Sequence, residues 1–175
     1  MKKTTIGEKI EVLLSADQND RANRKWQKLP EEKRWEIING RDKKRKLTLL
    51  KILKNHPKLT GDDYFRAGMI FQHGDSIEDI QKAKRLALKG HHLGSKDAGW
   101  LYAAATDRER IMCGKKQKFG TQFGLKNGKW VLFPVLKSTT DAMRAKFNLA
   151  TLKEIKKTNP ATPKKKNGFG LTSMK

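Results

Sequence analysis

The sequence predicts a mainly α-helical fold, a compact bundle of about five to seven helices with one small β-hairpin near residues 117–135. Three observations predict it. Apolar residues recur at three- and four-residue spacing over much of the chain up to Met112. Capping residues, glycines and prolines cut that pattern into helix-length segments. Asn127-Gly128 lies between two short runs rich in aromatic and branched residues, the strongest short-range signal for a hairpin turn.

Ile6, Ile10, Leu13 and Leu14 give the first helix its apolar stripe, with a continuation past Arg21 toward Trp26. Leu29-Pro30 ends that segment. Pro30, Glu31 and Glu32 open a second helix, because proline tolerates the first turn and acids favour the positive end of the helix dipole. It carries Trp35, Ile38, Leu47, Leu50 and Leu53, has Gly40 as a candidate interruption, and stops near Asn55-His56-Pro57. Thr60 with Asp63 and Ser76 with Asp79 are two starts of capping-box type. The third helix ends at Gln72-His73-Gly74, and the fourth is expected to close at Gly90. Ser95 caps a fifth helix that reaches about Met112, whose small residues Ala98, Gly99, Ala103, Ala104 and Ala105 admit a close neighbour.

Strands are expected over Lys118–Phe123 and Lys129–Val135, with Pro134 confining the second to an edge. A lone two-stranded hairpin is marginal, so it is expected to pack on the helices. Short helices follow from about Thr139 to Phe147 and from about Ala150 to Lys157. Residues 1–157 read as a single helical domain, and residues 158–175, with Pro160, Pro163 and Lys164-Lys165-Lys166, as a basic, flexible tail. No second copy of any segment recurs at a fixed period, which argues against a solenoid.

The net charge is +22, and its distribution matters more than its size. Residues 61–110 carry 8 basic and 8 acidic groups, whereas residues 1–60 carry 17 and 8, and residues 111–150 carry 8 and 1. Cationic flanks around a balanced centre repel one another unless an anion screens them. Nucleic acid is the commonest such partner, since each neutralised phosphate releases counterions. Basic surface that serves only solubility is the alternative.

The single cysteine, Cys113, excludes an internal disulfide and a multi-thiolate zinc site, and fits a reducing, cytoplasmic setting. No apolar run reaches about 18 residues, so no membrane span is expected, and Glu8, Lys9 and Glu11 interrupt any signal-like start. Adjacent His91 and His92 do not have the spacing of two ligands on one helix face, so no metal is expected. Gly114-Lys115-Lys116 lacks the first glycine and the Ser/Thr of a phosphate-binding P-loop, and no cofactor is expected.

Asp107-Arg108, Gly114, Gln117 and Phe119-Gly120-Thr121-Gln122 together resemble the hallmark of a mainly bacterial family catalogued as domain of unknown function 6624. That pattern is Asp-Arg, a short spacer, Gln, then Tyr-Gly-Thr-Gln. Asp17-Gln18 with Arg21, Gln72-His73, and Asp141 with Arg144 and Leu149 extend the resemblance to about residues 10–155. Phe119 stands where the family has Tyr, and His56-Pro57 where it tends to have Gly-Trp-Pro. The resemblance implies no activity.

Two sets of residues are candidates for function. The first is a possible catalytic set of His73, Asp107, Arg108, Gln117, Thr121 and Gln122, supported by Asp17, Gln18, Arg21 and Gln72. His73 at a helix C-terminus could act as general acid or base, or simply cap its helix. Adjacent residues on a helix point about 100° apart, so Asp107 and Arg108 need separate partners, either a ligand oxyanion for the Arg or a buried salt-bridge network. Gln117, Thr121 and Gln122 could read an amide or a base edge, or satisfy helix ends. The second set is the basic segment Arg41, Lys43, Lys44, Arg45, Lys46, Lys51 and Lys54 with Lys164, Lys165 and Lys166, a phosphate-tracking face if it is exposed. Leu47 and Leu50 are expected on the apolar stripe beside it, and Trp26 is expected in the core. The leading expectation is association with nucleic acid, RNA favoured. An enzyme of hydrolase or transferase type, using the polar set, is the alternative.

Overall fold

The computed structural model describes residues 4–127 and 129–157. The expected tail, 158–175, lies outside them. Among the described residues the order is α1 (Ile6–Arg21), a 3₁₀ turn (Trp26–Lys28), α2 (Glu31–Asn55), α3 (Gly61–Gln72), α4 (Ile77–His92), α5 (Lys96–Met112), β1 (Phe123–Lys126), β2 (Lys129–Leu132), α6 (Asp141–Ala145) and α7 (Leu152–Lys157). The fold is mainly helical with one small antiparallel hairpin, as the sequence predicts.

Local chemistry sets most helix starts. Thr60 Oγ1 accepts the Asp63 N–H at 3.1 Å while the Asp63 carboxylate accepts the Thr60 N–H at 3.2 Å, a complete capping box. Thr5 and Glu8 form a second one. Ser76 caps α4, but the Asp79 side chain turns instead to Lys46 Nζ, so that start has only half of the box. Gly40 does not interrupt α2, whose 25 residues run unbroken. α4 passes through Gly90 rather than ending there. Gly90 is there for contact: a Cβ on it would lie 2.7 Å from the Gly61 carbonyl oxygen and 2.8 Å from Ala98 Cβ, so glycine lets α4 meet the start of α3 and the face of α5.

The core sits between α3, α4 and α5, with α1 laid on α3 and α2 on α1. Phe71, Ile70, Ile80 and Leu101 are almost wholly buried, joined by Ile10 and Leu14 of α1 and Leu49 of α2. Each such side chain contributes roughly 1.5–3 kcal/mol by leaving water.

The hairpin differs from its expectation. Phe123 pairs with Leu132 and Lys126 with Lys129, and Asn127 takes the left-handed φ of 50° that the two-residue turn requires. The strands are shorter than expected and make few contacts with the helices. Their foot is fixed instead by Gln117, whose N–H donates to the Pro134 carbonyl at 3.0 Å. Residues 118–122 form no strand. Backbone N–H groups that a ladder would have used go to a carboxylate.

Candidate functional site

Asp17, Asp20 and Arg21 lie three and four residues apart, on one face of α1. Arg41, Asp42 and Arg45 lie on the facing side of α2. Helix packing brings the two sets together. Arg21 Nη1 donates to Asp17 Oδ1 at 2.6 Å and its Nη2 to Asp42 Oδ2 at 2.6 Å. Arg45 reaches Asp20 and Asp42, each at 2.5 Å, and Arg41 Nε reaches Asp20 at 2.6 Å. Burial works against ionisation of Asp42, but the hydrogen bonds and charges of Arg21 and Arg45 outweigh it and hold its pKa below the usual carboxylate value. The same balance, burial opposed by Asp42, Asp20 and Asp17, holds Arg45 more firmly charged.

His73 is the residue after α3 and does not cap its own helix with its ring. Its Nδ1 lies 2.7 Å from Oδ2 of Asp17, whose side chain is wholly buried. Gln18 Nε2 donates to the same oxygen at 3.0 Å. Arg108 of α5 braces the backbone on both sides of His73, donating from Nη1 to the Gln72 carbonyl at 2.8 Å and from Nη2 to the Gly74 carbonyl at 3.1 Å. Its charge has no carboxylate within ion-pair distance among the described residues. Burial lowers its pKa, the charge of Asp75 opposes this, and the charge of Arg21 adds to the lowering.

Asp107, one residue earlier, faces the other way. Its carboxylate accepts the N–H groups of Lys118, Phe119 and Thr121 at 2.6, 2.8 and 2.9 Å, and the Thr121 hydroxyl at 2.9 Å. This cradle is why residues 118–122 are not a strand. Gly120, at φ +86°, makes the reversal that lets successive amides converge on one side chain. Gln117 fixes the loop from inside, with Nε2 donating to the Gln122 and Phe133 carbonyls and Oε1 accepting the Gln122 N–H. Gln122 Nε2 reaches Thr121 Oγ1 at 3.0 Å. Arg144, buried, donates to the Phe119 and Thr139 carbonyls. Asp107, Gln117, Thr121 and Gln122 are therefore bonded largely to backbone and to each other.

The six expected catalytic residues thus divide between two places on α5. His73 and Arg108 join Asp17, Gln18, Arg21 and Gln72 on one side, and the other four build the loop on the other. An open depression of about 450 Å³ near Glu11, Ser15, Asp62, Arg66 and Asp97 touches only Gln18 of the whole set.

The basic set also divides. Arg41, Arg45 and Lys46 are taken by acids, and Arg45 is buried, which removes it from any phosphate-tracking face. Lys43, Lys44, Lys51 and Lys54 are exposed and pair with no acid among the described residues. Leu47 stands among them at 55 % exposure, and Leu49 fills the core position instead. Trp26 is only part-buried, with the Arg41 guanidinium 5.4 Å over its ring. Lys164, Lys165 and Lys166 lie outside the described residues. Among those residues no group of three or more His, Cys, Asp or Glu is placed to hold a metal ion, and no helix is long and apolar enough to cross a membrane.

Compared with known proteins, the chain matches no family model, no curated protein and no solved structure. The sequence did not single out Asp20, pointed to Arg144 only through the resemblance and not as a site residue, and placed Arg45 on the wrong face. The usable signal was the three- and four-residue spacing of opposite charges in α1 and again in α2, which marks two faces able to neutralise each other.

Proposed function

We propose that this chain binds nucleic acid, RNA in preference to DNA, through the outer face of α2. One observation carries the reading. The acids between α1 and α2, Asp17, Asp20 and Asp42, are paired with Arg21, Arg41 and Arg45, and the lysines Lys43, Lys44, Lys51 and Lys54 are left exposed without an ion pair among the described residues. At 1.5 Å rise per residue, Lys43 to Lys54 spans about 16 Å, long enough to meet several consecutive phosphates. Arginine forks suit the buried carboxylates, whereas lysines serve as hydrated point charges for a mobile polyanion. The hairpin points the same way. Lys126 and Lys129 sit directly opposite each other, a like-charge pair that a screening anion would relieve.

The test is the binding of a fluorescently labelled single-stranded RNA, and of DNA of the same sequence, at several salt concentrations between about 50 and 200 mM. Affinity is expected to fall steeply with salt and to depend little on sequence. The K43E/K51E/K54E variant should bind more weakly, with a log–log salt slope shallower by about 2, at about 0.7 per lost phosphate contact. Absence of binding at low salt, or an affinity indifferent to salt, ends the proposal. Tighter binding of DNA ends its RNA preference.

A further inference from the structure

Five buried side-chain polar atoms among the described residues have no hydrogen-bond partner, and four of them belong to the cluster around His73: Arg21 Nε, Arg45 Nε, Gln72 Oε1 and Arg108 Nε. Buried polar atoms are almost always paired, and native exceptions gather where a water, ion or ligand completes the set. Three of these four are cationic N–H donors, so the partner they lack is an acceptor. The charges agree. Asp17, Asp20 and Asp42 are matched by Arg21, Arg41 and Arg45, and among the described residues Arg108 has only the exposed Asp75 as a nearby acid, with no ion pair formed. Its two hydrogen bonds to carbonyl oxygens satisfy donors without cancelling charge. An oxyanion would supply both the missing acceptor and the missing charge, and a guanidinium is suited to it in shape.

We propose that Arg108, with Arg21 and His73, forms a binding site for a small oxyanion, the phosphate or carboxylate group of a ligand. Arg21 and Arg108 are both part-exposed, so solvent reaches the cluster, and the charge of Arg21 acts on Arg108. Asp17 engages Nδ1 of His73, which leaves Nε2 as the ring nitrogen for the ligand. Gln72 Oε1 also lacks a donor, which a singly protonated phosphate or a hydroxyl elsewhere on the ligand supplies; acetate probes the anionic group alone. The site uses none of the exposed lysines of α2 and does not depend on nucleic-acid binding.

The experiment follows the imidazole signals of the four histidines by NMR in the full chain. Inorganic phosphate, and separately acetate, is titrated at ionic strength held constant with chloride. The expected result is a saturable displacement of the His73 signals by at least one of the two anions, with the exposed His56 and His92 unmoved. K43E/K51E/K54E should keep that response and Arg108→Gln should lose it. A response to phosphate alone assigns a phosphate group, and a response to acetate assigns a carboxylate. Three results overturn the proposal: no displacement of His73, an equal displacement of every histidine, or a full response in Arg108→Gln. If Arg108→Gln does not fold, the wild-type titration decides alone.

Discussion

His73 and Asp17 are 56 positions apart in the chain, yet Nδ1 of one lies 2.7 Å from Oδ2 of the other, tying the end of α3 to the C-terminal part of α1. Asp17 also holds Arg21, so a single wholly buried carboxylate joins an imidazole to the ion-pair network between α1 and α2. Removing that charge leaves Arg21 short of a counterion in a buried setting. Asp17→Asn is expected to lower unfolding stability by about 3–5 kcal/mol, as deletion of one partner of a buried pair does. Urea unfolding followed by circular dichroism measures it, and a loss below about 1 kcal/mol would show the network to be solvated like a surface pair.

Acid should attack the same network through Asp42. Its pKa is depressed in the folded state, because Arg21 and Arg45 outweigh the opposing effect of burial. A group with a depressed folded pKa contributes stability that is fully present above its unfolded value, near 3.8, and is lost as pH falls through the folded one. The urea midpoint of the wild type is therefore expected to drop below about pH 4. Asp42→Asn should start lower at pH 7 and fall less steeply. Parallel curves for the two proteins would contradict this assignment.

The Asp107 carboxylate is occupied by a backbone loop. It accepts the amides of Lys118, Phe119 and Thr121 and one hydroxyl, and Asn in its place offers one acceptor oxygen and an unwanted donor. Asp107→Asn should cost about 2–4 kcal/mol, from one or two amides left unsatisfied at about 1–3 kcal/mol each. Hydrogen exchange gives the sharper readout. The amides of Lys118, Phe119 and Thr121 should lose protection while those of α3 keep theirs, and unchanged protection at these three would exclude the cradle.

Two glycines in helices should respond to alanine with opposite sign. Gly40 has open space around it, so Gly40→Ala should stabilise by about 0.5–1 kcal/mol through helix propensity. Gly90 faces backbone and side-chain atoms closer than 3.0 Å to any added Cβ, so Gly90→Ala should destabilise by about 1–3 kcal/mol through overpacking. Thermal melts of the two variants against the wild type check both, and a Gly90→Ala variant as stable as the wild type would mean that the helices around Gly90 can move apart freely.

The sequence by itself determined whatever depends on contacts three or four residues apart. Thr60 with Asp63, the Ser76 and Ser95 caps, the Asn127 turn and the apolar stripes of α3 and α4 were legible because each is closed by its own neighbourhood. Only the tertiary structure decided which charges face inward. Along α2, Arg45 and Lys44 are adjacent and chemically alike, and nothing in the spacing says that one is buried against Asp20 and Asp42 while the other meets water. That choice is made by α1, twenty or more residues away, whose acids reward the arginines that happen to face them. The loop after α5 shows the same limit. Residues 118–122 have the composition of a strand, but the Asp107 carboxylate competes for their amides, and a buried charge that would otherwise go unsatisfied is the stronger claim on them.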